Sequence, residues 1–507
     1  MNLPPVLVLF AALACACTPR APASLAAAPA PAPAAGEPDL WIRDVTVVSP
    51  ERAQPLAHAN VLLRGERIVS VGAEPPPPGA KTIDGTGRWL VPGLIDGHTH
   101  LAEVPGVLRE QYAELGATID AYFRQLPRSY LYFGFTTVVD LDVVEPGRLD
   151  ALRAAPVHPR VLDCGPGVVE ANGYPMAYVP PAIRFDVFPN FLYDERQRAD
   201  IPAKYLPAEH TPAADVARVV ASGGVCVKTF YEPGFGEQSG KLPMPTIETL
   251  RAVAEETHRR HLPLLIHANS IAAHRTALDA GADVVAHGMW NWGADDDQTE
   301  LPRAAREVLD AEARAKMAMM PTARVIAGLG DLFAPELLTD PRLAKVLPAP
   351  LLAWYQTDAG HWFARETAKR FAPGAPPSHI ANVYRTIEDH GLRAAVYFTE
   401  HGGRLLFGSD TPSGPLFSNP PGYNGYLELL ALERAGVKPL DILAAATIRN
   451  AETFGVAADY GTVTAGKRAS LLLLRADPLA SLAAFDAIET VFVDGRPVAR
   501  DELRAAR

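Results

Sequence analysis

Cysteine is scarce, with four in 507 residues. Cys15 and Cys17 lie together near the N-terminus, while Cys164 and Cys226 stand far apart in the interior. That pattern excludes a small fold stapled by a disulfide framework, and the two internal residues read as buried thiols. An excess of positive charge is also missing. A formal net charge of -11 excludes the basic face that nucleic-acid binding requires, though it selects no substrate charge. Beyond the first residues no apolar run is long enough to cross a bilayer as a helix, and no repeat of roughly 20 to 50 residues marks a solenoid. What remains is 48% hydrophobic and 21% charged, the composition of a globular chain too long for one small core.

The segment Leu3 to Cys17 is apolar and, at about 15 residues, too short to span a membrane. Its end, ALACAC from Ala12 to Cys17, resembles a bacterial lipoprotein cleavage box, with Cys15 or Cys17 as the lipidated first residue. Cleavage after Ala14 or Ala16, as in an ordinary signal peptide, is the alternative. No Lys or Arg precedes the run, a departure from both patterns. Thr18 to Pro38 is dominated by Ala and Pro, which makes an extended spacer rather than a core. Residues 1–17 are thus expected to be a signal and 18–38 a linker. The protein is expected to be exported, either free in the periplasm or tethered to the membrane by a lipid anchor.

Alternating strand-like runs separated by turn-formers fill Leu40 to about Ile83, and the same texture returns in GTVTAGKRASLLLLRADP and AIETVFVDGRPVA. Residues 39–90 and 456–507 are expected to form a composite β-sandwich from both chain ends. Between them, apolar runs alternate with helical stretches. They end at His98, Asp140, Asp163, Lys228, His267, His287, Pro321 and Asp410, and eight such strands predict an α/β fold, a (β/α)8 TIM-like barrel over 91–455. Two stretches, Ala171 to Pro212 and Val325 to about Gly402, are too long for plain connections and are expected as insertions beyond strand ends.

The strand ends carry chemistry. GLIDGHTHLAE places His98 and His100 two apart at the end of a buried run, where i and i+2 share a face. Surface histidines also fall two apart by chance, so the pair alone decides nothing. Lys228, His267, His287 and Asp410 close four further strands, on the face where barrels of this kind place catalysis. Five convergent strands are difficult to explain by histidines that are merely hydrogen-bonded.

VPGLIDGHTH, FGFTTVVD, VKTF, IHANSIAAHRTALDAGADVVAHG, GSDTP and GTVTAGKRASLLLL, in that order over Leu40 to Ala499, resemble the amidohydrolase superfamily, in the branch of imidazolonepropionase-like and metal-dependent dipeptidase proteins. Ala469-Ser470 departs from the family's usual Ala-Asp pair, in the β-rich region and not in the site. The resemblance implies a metal-dependent hydrolase. His98, His100 and Asp410 would hold one divalent cation, with zinc expected, and His267 and His287 a second. In binuclear relatives the lysine matching Lys228 is carboxylated and bridges both ions. A salt-bridged or substrate-binding Lys228, with one metal, is the alternative. Asp410 would then move protons as a metal-activated water attacks an amide.

Around this set Tyr231 is read either as a donor to substrate or as packing, and Asn269 as a substrate contact. Trp290 and Trp292 are read as pocket wall or core, and His258 and His274 as solvated. The leading reading is an exported hydrolase of a carbon–nitrogen bond in dipeptides or N-acyl amino acids. It acts on a small molecule, binds no nucleic acid, and is expected as a homo-oligomer. A mononuclear deaminase or cyclic-amide hydrolase of the imidazolonepropionase type is the second reading, and a non-catalytic scaffold the third. Mass spectrometry of native protein is expected to find an N-terminus at or near Cys15 or Cys17. An intact Met1 on cytoplasmic protein would contradict export.

Overall fold

The computed structural model describes residues 39–506 apart from Pro335. The apolar N-terminal run, Cys15, Cys17 and the Ala/Pro-rich segment lie outside the described residues. Among the described residues no helix is long and apolar enough to cross a membrane.

Eight parallel strands build the barrel. They are β1 (Leu94–Thr99), β2 (Phe135–Asp140), β3 (Arg160–Asp163), β4 (Val227–Phe230), β5 (Leu264–His267), β6 (Val284–Ala286), β7 (Ala318–Met320) and β8 (Arg404–Leu405). Regular pairing runs β1-β2-β3 and β4-β5-β6-β7-β8. Shorter contacts close the two remaining seams. Between β3 and β4, Val225 N–H donates to Asp163 O and Val168 N–H to Lys228 O, both at 2.8 Å. Between β8 and β1, Gly97 N–H donates to Phe407 O at 3.0 Å and Asp410 N–H to His98 O at 2.8 Å. Asn450 reinforces this second seam, its amide donating to the carbonyls of Ile95 and Phe407 at 2.9 and 2.7 Å.

The strands are apolar on both faces because each face meets a different core. Ile95, Val139, Leu162, Leu265, Val284, Met320 and Leu406 belong to one buried cluster, drawn from around the ring, that fills the lumen. Leu94, Val138, Val161, Val227, Leu264, Ile266 and Val285 pack outward against the helices, as buried parallel strands require. The helices follow local rules. Ile247–Arg259 starts at Thr246, whose hydroxyl accepts from Thr249 N–H, carries Glu248 in its first turn and His258 and Arg259 in its last, and buries Leu250, Val253 and Ala254 at helical spacing. Ile271–Ala280 starts at a Ser270 cap and stops at Gly281, which takes φ 84°.

The chain ends build one hydrogen-bonded mixed sheet of eight strands. Trp89–Pro92 lies in its middle, parallel to Leu40–Val47 and antiparallel to Leu471–Leu474. A short Asp494-Gly495 turn, with φ 46° and 82°, joins Ile488–Val493 to Arg496–Ala499, the geometry such hairpins favour. Its apolar side chains, Ile42, Val61, Leu90, Leu471 and Phe492 among them, form their own buried cluster.

Two expectations are corrected. Cys164 and Cys226 are not free thiols: they form a disulfide with both residues fully buried. They flank β3 and β4, so the bond reinforces the seam those strands form. Spacing in sequence hides it, since only barrel closure brings the pair to a Cα–Cα distance of 4.5 Å. His274 is not solvated. It is fully buried and paired with the equally buried Glu312 at 2.9 Å. His258, by contrast, is half-exposed beside Asp283.

A disulfide that closes 62 residues of chain stabilises by about 4 kcal/mol in the chain-entropy account. Unfolded without reductant, Cys164 and Cys226 should therefore resist alkylation. Cys226→Ala should lower Tm, and thermal denaturation of the two forms measures by how much.

Candidate functional site

The β8–β1 seam brings residues more than 300 positions apart into contact. His98 Nε2 lies 3.3 Å and His100 Nε2 2.9 Å from the same oxygen, Asp410 Oδ1. Asp410 Oδ2 points the other way, 3.8 Å from His287 Nδ1. Among the described residues, the ligand atoms of His98, His100 and Asp410 form one group within 4.8 Å of one another. On the far side, His287 Nε2 faces His267 Nδ1 at 2.7 Å. Lys228, 1% exposed, lies among these groups, its charge bearing on His98, His267 and His287. All six strand-end residues thus converge.

Close backbone approach makes this possible. A Cβ on Gly408 would lie 2.6 Å from His98 Cβ and 2.4 Å from Met320 Sδ, so only glycine lets the GSD turn pass so near the histidine. His287 and Asp410 are held at φ 121° and 52°, conformations that cost energy and persist where the surroundings impose them. Asp96 is the main support. It is fully buried, accepts from Ser409 N–H at 2.9 Å, from the Ser409 hydroxyl and from His98 N–H at 3.2 Å, and so ties both ligand-bearing segments to one carboxylate. Burial pushes Asp96 up to about 7 against those bonds. Asp140 does similar work for the His100 segment, accepting from Leu101 N–H at 2.8 Å.

The electrostatics match the donor set. Burial holds His98, His267 and His287 below the usual imidazole range, which keeps them neutral, the form that binds metal. Burial opposes ionisation of Asp410, but the hydrogen bond and charge of His100, itself pushed up to about 9 against burial by this carboxylate, hold the Asp410 carboxyl well below the ordinary range. Burial also holds the Lys228 ammonium down to about 8, despite Asp410 and Asp142, and among the described residues its Nζ has no hydrogen-bond partner. The two imidazoles and one carboxylate of His98, His100 and Asp410 fit a site for a divalent cation.

The other expected site residues are placed differently. Tyr231 is partly buried against the barrel core, and its backbone N–H donates to His267 O at 2.9 Å. Asn269 has both ends engaged, donating to Glu232 Oε2 at 2.6 Å and accepting from Asn291 Nδ2 at 2.9 Å. Trp290 and Trp292 are both buried, Trp292 stacked on His390. Sequence reading missed Tyr174, whose ring lies 4.7 Å from that of His267 and meets Phe230, Phe235 and Tyr178 edge-on. The Pro-, Tyr- and Phe-rich composition of its insertion was the available signal. It also missed Glu232, two residues beyond the VKTF strand.

The Amidohydrolase family profile matches residues 89–498, and the chain belongs to that family. Two curated relatives align only locally. An adenine deaminase of Deinococcus radiodurans is 40% identical over 63 residues, 12% of this chain and 12% of the relative. An imidazolonepropionase of Rubrobacter xylanophilus is 37% identical over 82 residues, 12% of this chain and 20% of the relative. The crystal structure of a Xaa-Pro dipeptidase with methionine bound shares the fold at 18% identity and a TM-score of 0.61, covering 91% of this chain and all of that one.

Asp96→Ala is expected to leave two Ser409 donors and the His98 N–H without their partner, at a cost of about 3 kcal/mol. Chemical denaturation should show that loss, and metal analysis a weaker hold on cations. Unchanged values for both would remove Asp96 from its supporting role.

Proposed function

We propose that the protein hydrolyses a carbon–nitrogen bond, an amide or peptide, in a dipeptide or N-acyl amino acid. The observation that carries this is the division of labour within Asp410: Oδ1 joins the two HxH imidazoles, while Oδ2 is turned toward His287 and the interior of the site. His98, His100 and Asp410 would hold one divalent cation, His267 and His287 a second, and Lys228, carboxylated, would supply oxygens to both. Zinc is the expected metal. Bound there, the cations would acidify a water and polarise a carbonyl. Asp410 takes the proton from the attacking water at Oδ2 and returns it to the departing amine nitrogen. The neutral imidazoles hold their orientation, and the buried wall limits access of bulk water.

The aromatic wall of Tyr174, Phe230, Phe235 and Tyr178 beside His267 supports an apolar or aromatic group on the substrate. The dipeptidase neighbour is in keeping with a peptide-like substrate. A mononuclear deaminase or cyclic-amide hydrolase stays as the second reading, because the local relatives include an adenine deaminase and an imidazolonepropionase. The convergence of all six strand-end residues supports an enzyme over a scaffold. Export to an oxidising compartment is part of the proposal, and the buried Cys164–Cys226 bond supports it.

A screen of dipeptides and N-acyl amino acids against purines and cyclic amides tests the substrate class, with cleavage expected in the first group. On the substrate found, Asp410→Asn should lower kcat by about 10²–10⁴-fold, because an amide oxygen is a poor proton acceptor. Activity confined to deamination would favour the second reading.

A further inference from the structure

His267 and His287 each spend one ring nitrogen on a protein oxygen and turn the other toward its neighbour. His267 Nε2 lies 3.3 Å from Glu232 Oε2, His287 Nδ1 2.8 Å from Thr322 Oγ1, and the inner nitrogens face at 2.7 Å. The two outer partners differ in kind. The Thr322 hydroxyl both donates and accepts, so it imposes no tautomer on His287.

Glu232 is a directed group. It is 4% exposed, and both its oxygens are held. Oε1 accepts from Gly234 N–H at 2.9 Å, and Oε2 accepts from Asn269 Nδ2 at 2.6 Å. Asn269 is fixed in turn by Asn291, which donates to its Oδ1 at 2.9 Å. A carboxylate held this way only accepts, so the proton on the neighbouring imidazole sits on Nε2 and the lone pair on Nδ1. Nδ1 is the nitrogen that points at His287. Among the described residues His98 has no such partner: its outer nitrogen, Nδ1, is buried and unbonded. A carboxylate behind the outer ring nitrogen is thus found at His267 and not at His98.

We propose that Glu232 is a positioning residue that locks His267 in its Nε2–H tautomer and so presents Nδ1 to the second cation, with Asn269 and Asn291 as its supports. This rests on the two-cation reading above. Carboxylates behind metal-binding histidines raise affinity by about 10–100-fold, and the same range is expected here, confined to the His267–His287 side.

The test uses full-length protein, with zinc or cobalt(II) binding measured by equilibrium dialysis and metal analysis. Unmutated protein should take up two cations. Glu232→Ala should hold the second about 10–100-fold more weakly and the first as before. Glu232→Gln, which keeps the shape and one accepting oxygen, should lie between them and guards against misfolding. In parallel, ring-¹⁵N histidine NMR on the metal-stripped full chain should show His267 protonated at Nε2 in the unmutated protein and a mixture in Glu232→Ala. Second-site affinity and tautomer both unchanged in Glu232→Ala would overturn the proposal. Uptake of only one cation by the unmutated protein would overturn the two-cation reading instead, and the His267 tautomer then decides the role of Glu232 alone.

Discussion

Across the junction between the last and first barrel strands, the Asp96 carboxylate accepts from Ser409 while the Asn450 amide spans the carbonyls of Ile95 and Phe407. The His98–His100–Asp410 group depends on that junction being closed. His98 and His100 sit on one side of it and Asp410 on the other, so the three-residue ligand group exists only when the ends of the barrel meet. The outer sheet serves the same end. Trp89–Pro92 pairs with strands from both chain termini and leads straight into β1, so the sheet fixes the entry of the strand that carries the histidines.

The site is costly to build. It buries a lysine, three histidines and a carboxylate together, with His100 partly buried beside them, and bends the backbone at His287 and Asp410 into the left-handed region. Uncompensated, such burial destabilises by several kcal/mol per charge. The cost is reduced by removing charge, since burial keeps three of the histidines neutral, and by the hydrogen bonds that Asp96, Asp140 and Glu232 accept. The remaining mismatch is Lys228, a buried amine that lies over the Phe230 ring but has no hydrogen-bond partner among the described residues. On the proposed two-cation reading, carboxylation would replace that positive charge with a negative one beside the cations.

Much of this was legible in the sequence because it is local. Each barrel strand is a short apolar run closed by a turn, and the ligand-type residues fall at the ends of those runs, so strand and site positions come from the same reading. The features that escaped are set by tertiary contacts. Cys164 and Cys226 look like isolated thiols until strands β3 and β4 lie side by side. His274 has the spacing of an exposed helical residue, and only the neighbouring helix supplies the Glu312 that buries it. Tyr231 was singled out for its nearness in sequence to Lys228, whereas Tyr174, carried by the insertion after β3, is the tyrosine whose ring lies beside that of His267. Asn269 was read as a substrate contact because the sequence shows nothing of the carboxylate and second amide that occupy it.

The most direct test of the two-cation centre is to ask what Lys228 becomes. Full-length protein prepared with zinc and ¹³C-bicarbonate is expected to show a carbamate resonance that is absent from Lys228→Ala, together with two cations per chain. An unmodified Lys228 beside a single cation, in protein that turns over substrate, would contradict the account.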